Sequence, residues 1–240
     1  MKAMVLAAGA GSRMGDLTRD LPKPMLKVGG RPILEHILLN LARHGFQKIV
    51  LNLHHHPQVI RDHFGDGSRL GLSITYLQEP NLLGTAGSVR NAAALLRGPD
   101  PILVHYGDVL TDQDLGAMLQ AHRDSRAQTT LLLHQRAHSN SVVVVDPAFR
   151  VIRMLERPTE ESRAQETSPW VNSGIYLLDP AVIEGIAPDV PQDFPRDVFP
   201  ALIAKGRVFG FPLSGYRCAV DTPARLERAR REFRGRPETA

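Results

Sequence analysis

The chain has 240 residues, 42% apolar and 22% charged, and these proportions exclude a disordered chain and a coiled coil. Its single cysteine, Cys218, forbids an internal disulfide and a cysteine-based zinc cluster, and suits a reducing cytoplasm. The net charge is +4, no apolar run nears the roughly 20 residues of a membrane helix, and no signal-peptide pattern opens the chain.

Residues 3–8 are a short apolar run ending in glycines, which predicts a buried strand. Residues 31–44 carry Ile33, Ile37, Leu38 and Leu41 at helical spacing, with Pro32 near the start and Gly45 just past the end. A strand over 48–53, a helix over 57–64, a strand over 73–77 and an Ala/Leu-rich helix over 85–96 follow. The strand at 102–105 stops at Gly107-Asp108, and a helix is expected over 112–125. Strands are then expected at 129–134, 142–146, 151–156, 171–178, 208–212 and 217–220, with 162–169 as a mobile loop. A last helix over 222–233 places Leu226, Ala229 and Phe233 on one stripe. Arg225, Arg228, Arg230 and Arg231, with Arg234 and Arg236 beyond, read as its wet side. No aromatic-rich or helix-turn-helix pattern accompanies that charge, so no nucleic-acid partner is expected. Strand alternating with helix over the first 125 residues predicts an α/β fold with a Rossmann-like, doubly wound, mixed but mostly parallel sheet. One domain over 1–240 is expected, and no hexapeptide repeat follows the last helix, so no appended β-helical domain is expected.

The first strand runs into Ala7-Ala8-Gly9-Ala10-Gly11-Ser12-Arg13-Met14-Gly15. Glycines here let backbone N–H groups close around an anion, and Arg13 adds a fixed cation. A P-loop needs a lysine after its last glycine, and none follows. The dinucleotide fingerprint needs its third glycine one position before Gly15. Pro22 and Pro24 prevent a crossover helix over 16–24 and predict a stiff, extended backbone at Lys23, from which one ammonium can meet a phosphate. His54-His55-His56 reads as a polar strand end rather than a metal site, since neighbouring strand residues face opposite sides.

Leu6-Ala7-Ala8-Gly9-x-Gly11-x-Arg13-Met14 followed by Leu21-Pro22-Lys23-Pro24-Met25 resembles the signature of the sugar-1-phosphate nucleotidylyltransferases, or NDP-sugar pyrophosphorylases. Glu79-Pro80-Asn81-Leu82-Leu83-Gly84-Thr85-Ala86-Gly87 resembles that family's base-reading loop, and its Leu-Gly-Thr-Ala-Gly run is similar to the mannose-1-phosphate guanylyltransferases. Tyr106-Gly107-Asp108 and Val220-Asp221-Thr222-Pro223 resemble its two metal-binding aspartate segments. Glu156-Arg157-Pro158 and Val171-Asn172-Ser173-Gly174-Ile175-Tyr176 resemble its sugar-site segments. Phe194-Pro195-Arg196-Asp197-Val198-Phe199-Pro200 is similar to a segment near the sugar pocket, although Val198 and Phe199 read as core.

The resemblance implies the nucleotide-diphospho-sugar transferase fold, with a nucleotide-binding half over 1–125, a sugar-binding half over 126–220, and a C-terminal helix and tail over 221–240. It implies transfer of a nucleoside monophosphate from an NTP to a sugar 1-phosphate with release of pyrophosphate. Leu6, Ala8, Gly9, Gly11, Ser12, Arg13, Glu79, Gly84 and Thr85 would hold the nucleotide. Arg13, Lys23 and Asp108 would be catalytic, and Asp108 and Asp221 would hold Mg2+. Gly107, Glu156, Arg157, Asn172 and Gly174 would hold the sugar phosphate. For either aspartate a helix N-cap is the other reading, and Asp221 stands just before a helix start signal.

Arg157 departs from the family's usual lysine, so either its role survives in altered geometry or Arg196 or Arg217 takes the phosphate. At pH 7 the phosphate nucleophile, with a second pKa of ~6, is mostly dianionic, so no general base is required. Glu79 can only accept hydrogen bonds, and guanine offers N1–H and a 2-amino group side by side, which favours GTP. The alternatives are uridylyl or cytidylyl transfer to an aminosugar phosphate or phosphocholine, and a catalytically silent nucleotide- or sugar-sensing module. A monomer or small homo-oligomer without membrane partners is expected.

Overall fold

The computed structural model describes residues 1–9, 11–136, 139–164 and 167–234. Ala10 of the glycine loop, residues 165–166 of the expected mobile loop and Arg236 lie outside the described residues. The strands are β1 (Lys2–Leu6), β2 (Lys27–Val28), β3 (Arg31–Pro32), β4 (Lys48–Leu53), β5 (Ser73–Gln78), β6 (Ile102–Tyr106), β7 (Val109–Thr111), β8 (Thr129–Gln135), β9 (Ser141–Val145), β10 (Val151–Glu156), β11 (Trp170–Leu178), β12 (Val208–Pro212) and β13 (Arg217–Ala219). The α-helices are α1 (Ile33–Arg43), α2 (Pro57–Phe64), α3 (Gly84–Asn91), α4 (Ala93–Leu96), α5 (Leu115–Ser125), α6 (Glu160–Ala164), α7 (Pro180–Glu184), α8 (Phe199–Ala204) and α9 (Pro223–Glu232). No helix among the described residues is long and apolar enough to cross a membrane.

The chain divides into two compact units. The first gathers residues 1–82, 105–115 and 214 onward, and the second gathers 83–104 and 116–213. In the first unit β1, β4 and β5 follow one another in strand order and are all parallel. Ala3, Met4 and Val5 of β1 and Leu51 and Leu53 of β4 are fully buried, which explains why these strands read as continuous apolar runs rather than alternating ones. In the second unit the order is β12-β8-β11-β6, with β12 parallel and β11 antiparallel to β8. The sheet is therefore mixed, as expected.

Several boundaries differ from the sequence reading for identifiable reasons. Strand β1 ends at Leu6 rather than residue 8, because the Ala7 N–H leaves the ladder and donates to the Asn52 side chain at 2.8 Å. Arg31–Pro32 is not helical but pairs with Lys27–Val28. The helix expected over 85–96 begins at Gly84 and breaks at Ala92. The helix expected from 112 starts at Leu115, because Asp112 and Thr111 are committed elsewhere. Asp112 Oδ1 accepts from Tyr216 N–H at 2.6 Å, and the Thr111 hydroxyl donates to the Tyr216 carbonyl at 2.6 Å. These contacts belong to the unforeseen pairing of β7 with β13. Part of the expected mobile loop is helical, as α6. Along α9, Leu226 and Ala229 are fully buried and Phe233 is nearly so, while Arg228 and Arg230 pair with Glu232 and Glu227 on the wet side.

Candidate active site

In the first unit, the glycine loop leaves β1 and turns into two 3-10 turns within Ser12–Thr18, kinked at Gly15. Gly11 has φ +67, and a Cβ there would stand 3.2 Å from the Thr18 methyl and 3.3 Å from Lys23 Cβ. Glycine is thus required both by backbone conformation and by close approach. The loop is stapled by Thr18, whose hydroxyl faces the Gly11 and Gly15 carbonyls at 3.2 and 3.3 Å. Gly107 has a related role: its hypothetical Cβ would lie 2.7 Å from the Leu6 carbonyl, which accepts from Gly107 N–H at 2.9 Å. Gly107 therefore lets the end of β6 lie against the end of β1, directly before Asp108.

Lys23 opens a single 3-10 turn, Lys23–Met25, rather than the extended backbone expected; the residues on either side, Pro22 and Leu26, are the extended ones, with ψ 143 and 137. Its ammonium donates to Asp108 Oδ2 at 2.6 Å, with the two side chains only 12% and 20% exposed. Arg13 donates to Asp221 Oδ2 at 2.8 Å, and Arg225 of α9 binds the other oxygen, Oδ1. The antiparallel pairing of β7 and β13 extends by one bond, Val220 N–H to the Asp108 carbonyl at 2.8 Å, so the two aspartates come from adjoining strand ends. The helix-cap alternative for Asp221 is answered locally: Thr222 is the N-cap of α9, its hydroxyl accepting from Arg225 N–H at 3.3 Å. Asp221 is left with its carboxylate for the arginines.

Asp108 and Asp221 supply the hard oxygen donors that magnesium prefers, and one or two carboxylates plus phosphate and water oxygens are its usual complement. Among the described residues no group of three or more His, Cys, Asp or Glu could hold a metal. The three adjacent histidines are all spent on carbonyls: His54 on Glu79, His55 on Thr18 and His56 on Arg19, at 2.7, 3.1 and 2.8 Å.

Glu79 is packed out of solvent at 1% exposure, and its Oε1 accepts from Asn52 Nδ2 at 3.3 Å. Asn52, 2% exposed, also accepts from the Ala7 N–H and so ties Glu79 to the start of the glycine loop. The sequence reading missed Asn52. Its signal was a polar residue inside the otherwise apolar strand Ile49–Leu53. His105, on β6 three residues before Asp108, is fully buried, and burial pushes its pKa down to about 4 despite the Tyr106 carbonyl 2.9 Å away. Its folded pKa lies below the ordinary 6.5, so the unfolded chain takes the proton first as pH falls. Stability is complete above pH 6.5 and declines as pH falls towards about 4, by about 3 kcal/mol from this residue. Urea unfolding of the wild type and His105→Leu across that window is expected to show a flatter pH dependence in the variant.

In the second unit, Asn172 and Gly174 form an irregularity in β11: Asn172 faces Leu133 on β8, yet Tyr176 faces Leu131. Asn172 Oδ1 accepts from Gly174 N–H at 2.9 Å, Asn172 Nδ2 donates to the Tyr176 hydroxyl at 2.7 Å, and Gly174 has φ +78. The Asn-x-Gly-x-Tyr spacing thus builds a bulge, and bulges re-aim neighbouring side chains. Glu156 ends β10, and burial raises its pKa, opposed by Arg157 and Arg196 and helped by Asp193. Arg157 has φ +51, an uncommon conformation for a residue before proline. Gly84 and Thr85 open α3 against residues 192–194; of the two expected core positions Phe199 is fully buried, but Val198 is only half-buried, and Phe194 takes the second core place.

The nucleotidyl transferase family model matches residues 2–216. The chain belongs to the nucleotidyl transferase family. A mannose-1-phosphate guanylyltransferase of Mycobacterium tuberculosis is 37% identical, over 92% of this chain and 61% of that protein. A UTP–glucose-1-phosphate uridylyltransferase of Synechocystis is 34% identical, over 87% of this chain and 57% of that one. The chain spans about three-fifths of the length of these curated relatives. Among solved structures, a Bacillus anthracis protein in complex with sucrose superposes with TM-score 0.87 at 22% identity, covering 100% of this chain and 98% of that one. HddC from Yersinia pseudotuberculosis, complexed with GMP-PN, does so with TM-score 0.78 at 22% identity, covering 97% and 99%. Both show the α/β fold of this nucleotidyl transferase.

Proposed function

We propose that this nucleotidyl transferase moves a nucleoside monophosphate from an NTP, GTP in preference, to a sugar 1-phosphate, with mannose 1-phosphate as the first candidate. The observation that carries this reading is the pair of carboxylate–cation contacts, Lys23–Asp108 and Arg13–Asp221, joined by residues 85 and 208 positions apart on adjoining strand ends. In the reaction, a phosphate oxygen of the sugar 1-phosphate attacks the α-phosphorus in line. A new P–O bond forms, the α–β bond breaks, and pyrophosphate leaves with the electron pair. The obstacle is repulsion between two polyanions, so positioning and positive charge are the main requirements.

Leu6, Ala8, Gly9, Gly11 and Ser12 would supply the loop that receives the triphosphate, with Arg13 on its oxygens. Lys23 would meet the charge that grows at the α-phosphate. Asp108 and Asp221 would hold Mg2+, which when bound neutralises and orients phosphate oxygens. For this, Lys23 and Arg13 exchange their aspartates for phosphates, while Arg225 keeps hold of Asp221. In the first unit Glu79, steadied by Asn52, would meet the base and Gly107 the sugar phosphate. In the second unit Gly84 and Thr85 would hold the nucleotide, Glu156, Asn172 and Gly174 would address the sugar hydroxyls, and Arg157 the phosphate. Action in the cytoplasm, as a monomer or small homo-oligomer, belongs to the same proposal.

Guanylyl transfer is favoured by the mannose-1-phosphate guanylyltransferases among the relatives, and the uridylyltransferase relative makes uridylyl transfer the second reading. A pyrophosphate-release screen of four NTPs against a panel of sugar 1-phosphates, with magnesium, tests both. The expected result is fastest turnover with GTP and mannose 1-phosphate. Fastest turnover with UTP selects the second reading, and no release with any pair overturns both.

A further inference from the structure

The first turn of α3 is capped from far away in the sequence. Its preceding residue, Leu83, makes no side-chain cap. Instead Asp193 Oδ1 accepts from Thr85 N–H at 3.0 Å and from the Thr85 hydroxyl at 3.1 Å. That hydroxyl in turn accepts from Phe194 N–H at 3.0 Å. The next two amides, Ala86 and Gly87, both donate to the Gln192 carbonyl, at 2.9 and 3.2 Å. Gly84 permits this contact, since a Cβ there would stand 2.4 Å from the same carbonyl, and its φ is +71. The amides that open the helix are therefore already used within the protein. They hold the shape of the loop rather than waiting for an anion.

The second oxygen of Asp193 faces the other way. Oδ2 receives the guanidinium of Arg196. Both Asp193 and Arg196 act electrostatically on Glu156 at the end of β10. One planar carboxylate thus fixes the Leu83–Gly87 loop through Oδ1 and the Arg196 guanidinium through Oδ2, all within the second unit. We propose that Asp193 is a positioning residue with two separable tasks, holding the base loop through Oδ1 and aiming Arg196 at the sugar phosphate through Oδ2; this rests on the function proposed above. Arg196 is the cation it aims.

The test compares Asp193→Asn, Asp193→Ala, Arg196→Ala and Thr85→Val. Asn keeps an oxygen acceptor for Thr85 but turns an amide N–H2 towards Arg196. It is expected to raise KM for the sugar 1-phosphate by about tenfold while changing the nucleotide Kd, measured by calorimetry, by less than about twofold. Arg196→Ala should match it, and combining it with Asp193→Asn should add little further. Thr85→Val should weaken nucleotide binding and leave the sugar-phosphate KM in place, and Asp193→Ala should do both. Circular dichroism and melting curves identify any variant that fails to fold, and Asp193→Asn, which retains the cap, then carries the decision. If Asp193→Asn shifts both constants alike, or neither, in an active enzyme, Asp193 is a structural cap and the inference is wrong. Inactivity of the wild type with every substrate pair overturns the function itself, and this inference falls with it.

Discussion

Replacing Asp108 by Asn is expected to lower turnover by about 10²–10³-fold while the fold is retained, as judged by pyrophosphate release and by far-UV circular dichroism. The substitution changes one oxygen to an N–H2 group and leaves the volume intact, so the packing of β7 against β13 is untouched. What changes is charge. The site loses the anion that would attract a divalent cation, and Lys23, only 12% exposed, loses its partner. A buried pair broken from one side is costly, because the remaining charge is left desolvated. Since this pair retains some contact with solvent, the expected loss is about 1–3 kcal/mol, read as a lower urea midpoint. Removing the ammonium as well separates the two effects. Lys23→Met in the Asp108→Asn background should recover most of the stability and none of the activity. Near-normal turnover in Asp108→Asn alone would remove Asp108 from the chemistry.

The second large effect is expected for Lys23→Ala: a fall in the single-turnover rate of about 10²–10³-fold, against a change in nucleotide Kd of less than about tenfold. The asymmetry follows from where the charge develops. In the resting protein Lys23 is satisfied by Asp108 at 2.6 Å, so leaving that carboxylate for a ground-state phosphate gains little net binding. As the α-phosphorus is attacked, negative charge grows and the gain rises, which places the interaction in the transition state rather than the ground state. Lys23→Arg should not restore the rate, because a planar fork cannot replace a compact ammonium on the same short turn. Rapid-quench measurement of the first turnover, with calorimetry for Kd, distinguishes this from plain loss of affinity. Equal losses in rate and affinity would make Lys23 a binding group only.

Much of the framework was legible in the residues. The bounds of β4, α2, β10 and β12 coincide with the sequence reading, because each is set by local rules: an apolar run or alternation, a proline at the helix start, a glycine beyond the end. Gly11 and Gly174, singled out for close backbone approach, both prove to have positive φ, a conformation that favours glycine. The errors also have a pattern. Arg31–Pro32 and Asp112 were read as helical because nothing nearby shows that their backbone or side chains pair with segments elsewhere. Lys23 was read as extended on the strength of its two prolines, yet bonds from Met25 N–H to the Pro22 carbonyl and Leu26 N–H to the Lys23 carbonyl curl it into a turn.

The order of strands and helices, the glycine loop and the identity of the charged residues follow from covalent sterics and short-range periodicity, which a linear string carries in full. Which carboxylate meets which cation does not. Lys23 finds Asp108, Asp221 divides itself between Arg13 and Arg225, Asn52 bridges Ala7 to Glu79, and Asp193 caps a helix that begins over a hundred positions earlier. Each of these contacts acts over a few ångströms, so it exists only where packing of distant segments brings its partners together. Only the tertiary structure could decide them.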